Sequence, residues 1–329
     1  MVNDGSMVSV IIIAYNNADT VQECLQSILY QNYMNKDVNV IYDEGSTDKT
    51  HSILQSLAKR YEKRFNIIST QHVGRSKARN IGLKCSKGDV LFFVDADDVY
   101  NSDYLDKAIS ILDSDPKMGG VCLTGASLVD KKGMMSGYYE VYSGIQQNKV
   151  KSGLFIPSWA WVYKREAVEK VGGYDEMLDQ AEDKDLFLRV TSAGYSIGLV
   201  PGVNWLHRRP SSLASHLRKS YIGAKSRILF IKKHGRWREL HTLLPFWLLV
   251  SFILYSPFET IMFIPVIFSV ILYICVSMVQ TSRFVWNDIK AKYEIPIYSI
   301  LNLLTYSSSA LGLSHGLLNL LFRRPKADD

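Results

Sequence analysis

Apolar and polar positions alternate in two rhythms over the first two thirds of the chain. Residues 8–14, Val-Ser-Val-Ile-Ile-Ile-Ala, are nearly all apolar and rich in β-branched side chains. That predicts a strand buried on both faces. Residues 18–30 place Val21, Leu25, Ile28 and Leu29 at helical spacing, one face of an amphipathic helix. The rhythm then repeats. A strand is predicted over 38–42, a helix to about 61, a short strand over 66–69, a helix over 74–85 and a strand over 90–94. Beyond these come a helix over 103–113, a segment at 121–129 returning to the sheet, and a strand over 157–163. A helix opening at Glu182 and a strand near 197–200 follow. Such alternation predicts an α/β fold with a doubly wound, mostly parallel sheet. Right-handed crossovers bring every helix N-terminus to the edge where the strands end, and open sheets bind ligands there.

The pattern changes after about His241. Residues 243–279 are almost entirely apolar, with Glu259 the one charge and Pro245, Pro257 and Pro265 interrupting them. One helical crossing needs about 20 residues, so this run predicts a membrane hairpin turning at 256–260. A third apolar segment, 296–322, is weaker because it holds Asn302, Ser307–Ser309, His315 and Asn319. The formal net charge is +6, and its source is local. Between Leu206 and Leu240 ten basic residues face the single acid Glu239. A basic belt beside an apolar span marks the cytoplasmic side of a membrane and attracts anionic headgroups; it does not argue for nucleic acid. Within it Leu213, Leu217, Tyr221, Ala224 and Ile228 have the spacing of an amphipathic helix lying on a bilayer. The predicted organisation is therefore a cytoplasmic α/β domain over 1–212, a basic juxtamembrane helix over 213–240 and an all-α membrane region over 241–329. The four cysteines are scattered without a CxxC pair, which disfavours a disulfide framework or zinc site. The short polar start, residues 1–7, is read as carrying no signal peptide.

Candidate chemistry collects where the predicted strands end. The strand over 90–94 runs into Asp95, Asp97 and Asp98, carboxylates that repel one another unless a cation sits among them. Hard oxygen ligands at that spacing suit Mg²⁺ or Mn²⁺ shared with a substrate's phosphates. Asp43 follows its strand directly, where a carboxylate can accept from a base N–H or a ribose hydroxyl. Arg75, Lys77 and Arg79 put three cations near a helix start, which favours a diphosphate. Glu182 and Asp183 open a later helix. There they could take a proton from an attacking hydroxyl, or simply complement the helix dipole. Trp159 and Trp161 could pack on a sugar ring, although core packing is the commoner role for such residues.

Six stretches together resemble the family 2 glycosyltransferases, inverting enzymes with the A-type nucleotide-sugar fold. They are Val8–Asn17, Val40–Asp48, Ala78-Arg79-Asn80-Ile81-Gly82, Gly88–Asp98, Val171-Gly172-Gly173-Tyr174-Asp175-Glu176 and Glu182-Asp183-Lys184-Asp185-Leu186-Phe187-Leu188-Arg189. The resemblance spans most of 8–210, with Glu44 standing where the family often has a second Asp. It implies that Asp43 reads the base of a UDP- or GDP-linked sugar and that Asp95 reads its ribose. Ala14, Tyr15, Asn16, Arg75, Arg79 and Ala96 would complete the donor site. Asp97 would ligate Mn²⁺ or Mg²⁺, with His207 as a further ligand, and Asp183 would be the general base with Glu182 orienting the acceptor. Arg208 and Arg209 would close over the diphosphate or belong to the membrane belt.

The expected activity is metal-dependent transfer of a sugar, by single displacement, to a hydroxyl of a lipid-linked saccharide. The nearest rival is transfer to a polyprenyl phosphate, which needs no base and would leave Glu182-Asp183 idle. A processive polysaccharide synthase fits less well, because Lys233-His234-Gly235-Arg236-Trp237 lacks the Gln of the motif it echoes. A catalytically inactive binding module is the alternative of another class.

Overall fold

The computed structural model describes residues 5–62, 64–123, 127–128, 139, 161–178, 180–201, 205–207, 212–237, 240 and 295–322. The chain divides into two compact units, one of residues 1–130 with 146–209 and one of 131–145 with 210–329.

The first unit opens with β1 (Val8–Ala14), α1 (Val21–Leu29), β2 (Lys36–Asp43), α2 (Thr50–Arg60), β3 (Asn66–Thr70), α3 (Arg75–Cys85) and β4 (Val90–Asp95). It continues with β5 (Asp98–Tyr100), α4 (Tyr104–Leu112), β6 (Met118–Leu123), β7 (Ser127–Leu128) and β8 (Trp161–Lys164). It closes with α5 (Arg165–Lys170), α6 (Glu182–Ser192), β9 (Ser196–Val200) and β10 (Trp205–His207). Seven strands form one sheet in the order β3-β2-β1-β4-β8-β6-β9, and β5-β10-β7 form a second, small one. In the large sheet β1, β2, β3 and β4 run parallel, as the alternation predicted.

The sheet is mixed, however, because β8 runs antiparallel to both β4 and β6. Val90 pairs with Lys164 and Phe93 with Trp161. Strand direction depends on how the preceding segment returns to the sheet, which side-chain rhythm does not encode.

Both faces of β1 are covered, which is why its sequence lacks a polar face. Val10 and Ile12 join a core with Leu25 and Ile28 of α1, Leu54 of α2 and Leu105 of α4. Ile11 joins the opposite core with Ala167 and Val168 of α5 and Leu186 and Val190 of α6. Each such fully buried aliphatic side chain contributes about 1.5–3 kcal/mol. The helix α3 approaches β1 closely through Gly82, where any Cβ would meet the Ile11 side chain.

The second unit contains α7 (Leu213–Lys233), capped by Ser212 Oγ accepting from Ser215 N–H at 3.2 Å, and α8 (Ile295–Phe322). The α7 stripe expected on a bilayer surface is instead packed against α8. Ala224, Ile228 and Ile231 share one core with Ala310 and Leu313. Two glycines of α8 permit that approach: a Cβ at Gly312 would meet the Tyr221 carbonyl, and one at Gly316 the Lys225 carbonyl. The polar residues that weakened the 296–322 segment also find partners. Ser308 Oγ donates to the Leu217 carbonyl at 2.7 Å, and the His216 ring meets Thr305 Oγ1 at 2.8 Å. No helix among the described residues is long and apolar enough to cross a membrane. The expected hairpin at 243–279 lies outside the described residues, as do Trp159, Arg208 and Arg209.

Candidate active site

The parallel strands deliver their chemistry to one edge. A cavity of about 160 Å³ opens there, lined by Ala14 at the end of β1 and Tyr15 after it, Asp43 at the end of β2, His72 after β3, and Asp95 at the end of β4 with Ala96 and Asp97 after it. Gly74 and Arg75, at the start of α3, complete its rim. Parallel register makes this convergence unavoidable: Ala14 pairs with Tyr42 and Ile13 with Asp95, so the strand ends stand side by side.

On the β2 side, Asp43 Oδ1 accepts from the Gly45 N–H at 2.8 Å, which fixes the carboxylate at the turn. Its Oδ2 lies 2.8 Å from Nδ1 of His72. The His72 ring is 4.8 Å from that of Tyr15, and both side chains are exposed over the cavity. His72 was not anticipated from the sequence. The available signal was its position directly after the strand at 66–70, on the edge already bearing Asp43 and Asp95. Asn16 does not line the cavity. It takes a left-handed backbone (φ 53°) and its side-chain oxygen accepts from Thr47 N–H at 2.8 Å, bracing the β1–α1 turn to the β2–α2 turn. Asp48 strengthens the same brace, accepting from Ala18 N–H at 2.9 Å as well as from Thr50.

The three cations of α3 separate. Lys77 faces solvent, and Arg75 stays at the cavity rim, where a helix N-terminus and a guanidinium together favour an anion. Arg79 turns inward: its side chain is only 4% exposed, and carboxylates occupy its terminal nitrogens. It reaches Asp95 Oδ1 at 2.8 Å, Glu182 Oε1 at 2.6 Å and Asp183 Oδ1 at 3.4 Å.

The later sequence stretches assemble around that guanidinium. Asn80 clamps the Tyr174 backbone at both ends, accepting from its N–H and donating to its carbonyl, each at 2.8 Å. Gly173 is left-handed (φ 75°), and a Cβ there would lie 2.8 Å from the Asn80 side chain, which explains the paired glycines before Tyr174. Thus held, the Tyr174 ring faces Arg79 at 5.2 Å and its hydroxyl donates to Asp183 at 3.3 Å. Ala181, immediately before α6, also takes a left-handed backbone (φ 62°), local strain of the kind that clusters at functional sites. Burial pushes the Asp183 carboxyl up to about 7; Arg79 opposes the shift and Glu182 adds to it. Glu182 is buried, with its Oε1 bonded to Arg79. Trp161 takes the commoner of its two expected roles, core packing: it is buried at 2% exposure and stacked on Tyr163 at 5.3 Å.

On the β4 side Asp97, Asp98 and His207 bring one ligand atom each within 4.8 Å of one another. Antiparallel pairing of β10 with β5 sets His207 opposite Asp98. Nδ1 of His207 is 2.7 Å from Asp98 Oδ1 and 3.9 Å from Asp97 Oδ1. Asp98 is already engaged: Trp205 Nε1 donates to its Oδ1 at 2.9 Å and the Tyr100 hydroxyl to its Oδ2 at 3.0 Å. Two carboxylates and an imidazole gathered this closely are a donor set that fits a divalent cation.

A family model described as "Glycosyl transferase family 2" matches residues 9–172. The glycosyltransferase AglE of Haloferax volcanii is 28% identical over 253 residues, covering 75% of this chain and 81% of that protein. The glycosyltransferase GlyA of Streptococcus pneumoniae is 26% identical over 242 residues, but these cover only 34% of its length. Among solved structures, the mannosyltransferase PcManGT from Pyrobaculum calidifontis, in complex with GDP-Man and Mn²⁺, aligns with a TM-score of 0.58 at 18% identity. That alignment covers 98% of this chain and 89% of the other.

Proposed function

We propose that the chain, whose residues 9–172 match the family 2 glycosyltransferase model, moves a sugar from a nucleotide-sugar donor to a hydroxyl acceptor, with inversion at the anomeric carbon. One observation carries this reading. Asp43, Asp95 and Asp97 line a single cavity with Arg75 at its rim, and Asp95 is joined through Arg79 to the Glu182–Asp183 pair.

Asp43 accepts from the base, which lies against the Tyr15 and His72 rings. Asp95 accepts from a ribose hydroxyl. Arg75 and the α3 N-terminus face the diphosphate. A divalent cation, Mn²⁺ or Mg²⁺, held by Asp97 and His207 would supply positive charge as the nucleoside diphosphate departs. Asp183 takes the proton from the acceptor hydroxyl as that oxygen attacks the anomeric carbon. A base whose proton affinity sits near neutrality suits the task.

We further propose that the acceptor is a lipid-linked saccharide and that the domain works beside a membrane, on its cytoplasmic face. Support comes from the apolar run at 243–279 next to a strongly basic stretch, and from Ile300, Leu304, Leu311 and Leu318, exposed at helical spacing on α8. Tethering beside a bilayer raises the effective concentration of a lipid-borne acceptor. Label transferred from the donor should enter the solvent-extractable lipid fraction of membranes; label confined to water-soluble products would contradict this.

The activity itself is tested with the full chain, Mn²⁺ and a set of UDP- and GDP-sugars, following release of nucleoside diphosphate. The wild type should release it from one base family, while Asp183→Asn should bind the same donor and release almost none. Normal release by that variant would move the base elsewhere.

A further inference from the structure

We propose that Arg79 is a positioning residue for the base: bonded at one side to Asp95, it fixes Asp183 for proton removal, and it makes no contact with the diphosphate. The inference rests on the roles given above to Asp95 and Asp183.

The geometry is that of a hub. One guanidinium contacts three carboxylates from two elements, Asp95 at the end of β4 and both Glu182 and Asp183 at the start of α6. In sequence these elements lie far apart, and Asp95 and Glu182 are each bonded to a different terminal nitrogen of the same group. A planar guanidinium can hold two carboxylates in a fixed relative orientation, and an ammonium cannot. Asp95 keeps its place without Arg79, because β4 is paired with β1 up to that residue. Asp183 is less secured. Besides Arg79 it has the Tyr174 hydroxyl at 3.3 Å, and the turn before it is left-handed at Ala181. Removing Arg79 should therefore disturb the base far more than donor capture.

Groups facing Asp183 from the surrounding elements are Arg75 and Arg79 of α3, Asp95 of β4, Tyr163 of β8, Glu182 of α6 and Tyr174. Of the two arginines, only Arg79 lies within bonding reach of the Asp183 carboxylate.

The test uses the nucleotide sugar that the wild-type full chain hydrolyses best with Mn²⁺, chosen from UDP-glucose, UDP-N-acetylglucosamine and GDP-mannose. Arg79→Lys keeps a charge and should fold. It is expected to lower kcat by at least tenfold while the donor KM and the thermal shift given by the nucleotide stay within threefold. Arg79→Ala should lose about 100-fold or more in kcat, the scale of a displaced general base. Guanidinium ion should restore part of that rate and methylammonium should not. If Arg79→Ala does not fold, Arg79→Lys decides alone. Wild-type kcat in Arg79→Lys, or a raised donor KM with kcat kept, would overturn the role given to Arg79 and leave the glycosyltransferase reading intact. A wild-type protein that hydrolyses none of the three donors would overturn both.

Discussion

Nδ1 of His207 lies 2.7 Å from Oδ1 of Asp98, a contact between residues 109 positions apart in sequence. It exists because β10 pairs antiparallel with β5, which sets His207 opposite Asp98. Asp98 is further pinned by Trp205 and Tyr100, so the imidazole is presented by a rigid carboxylate. The proposed metal site predicts that Asp98→Asn weakens Mn²⁺ affinity roughly 10–100-fold, the usual cost of losing an orienting partner. Mn²⁺ titration of the thermal shift measures it, and unchanged affinity would remove Asp98 from the site.

The elevated proton affinity of Asp183 has a kinetic consequence. A carboxylate raised to about 7 is largely protonated below neutrality and becomes a competent base above it. The sign is therefore a rate that rises as pH increases through about 7 and then levels off. Donor hydrolysis or transfer measured from pH 5.5 to 9 at saturating donor should show this limb. A rate that is flat down to pH 5.5 would assign proton removal to another group.

Asp43 and His72 set the base contact. Loss of a hydrogen bond to a charged acceptor costs about 1.5–3 kcal/mol, so Asp43→Asn should raise donor KM by one to two orders of magnitude with little change in kcat. His72→Ala, which frees Asp43 Oδ2 and uncovers the Tyr15 ring, should alter the preference between UDP- and GDP-linked donors. Equal KM values in wild type and both variants would place the base elsewhere.

Gly82 fixes the distance between α3 and β1. Overpacking a tight core contact costs about 1–3 kcal/mol, so Gly82→Ala should lower the melting temperature. It should also lower kcat, since Arg79 sits one turn earlier on the same helix. A melting temperature equal to wild type would show that the helix can shift freely.

Much of the first unit was legible because its strands are buried on both faces. The predicted strand over 8–14 coincides with β1, and the helix over 74–85 is α3 to within one residue. The acids at the strand ends were legible too, since parallel topology alone gathers Asp43, Asp95 and Asp97. Side-chain direction was not. Three cations on one short helix gave no sign that Arg79 would be buried among carboxylates contributed by residues 95, 182 and 183. Nor could alternation at 157–163 separate a sugar-facing Trp161 from the core residue it proves to be. His207 was reached only through the family resemblance, because its partner Asp98 is supplied by tertiary pairing. The α7 stripe was read correctly as one face of a helix, but its occupant depended on Gly312 and Gly316 letting α8 approach.

The central claim is that Asp43, Asp95 and Asp97 hold one nucleotide sugar together with one cation. A thermal-shift comparison of wild type and Asp97→Ala, with UDP- and GDP-sugars in the presence and absence of Mn²⁺, tests it most directly. The account predicts metal-dependent stabilisation of the wild type by one base family, lost in Asp97→Ala. Stabilisation that persists in that variant, or no response of the wild type to any of these nucleotides, would contradict it.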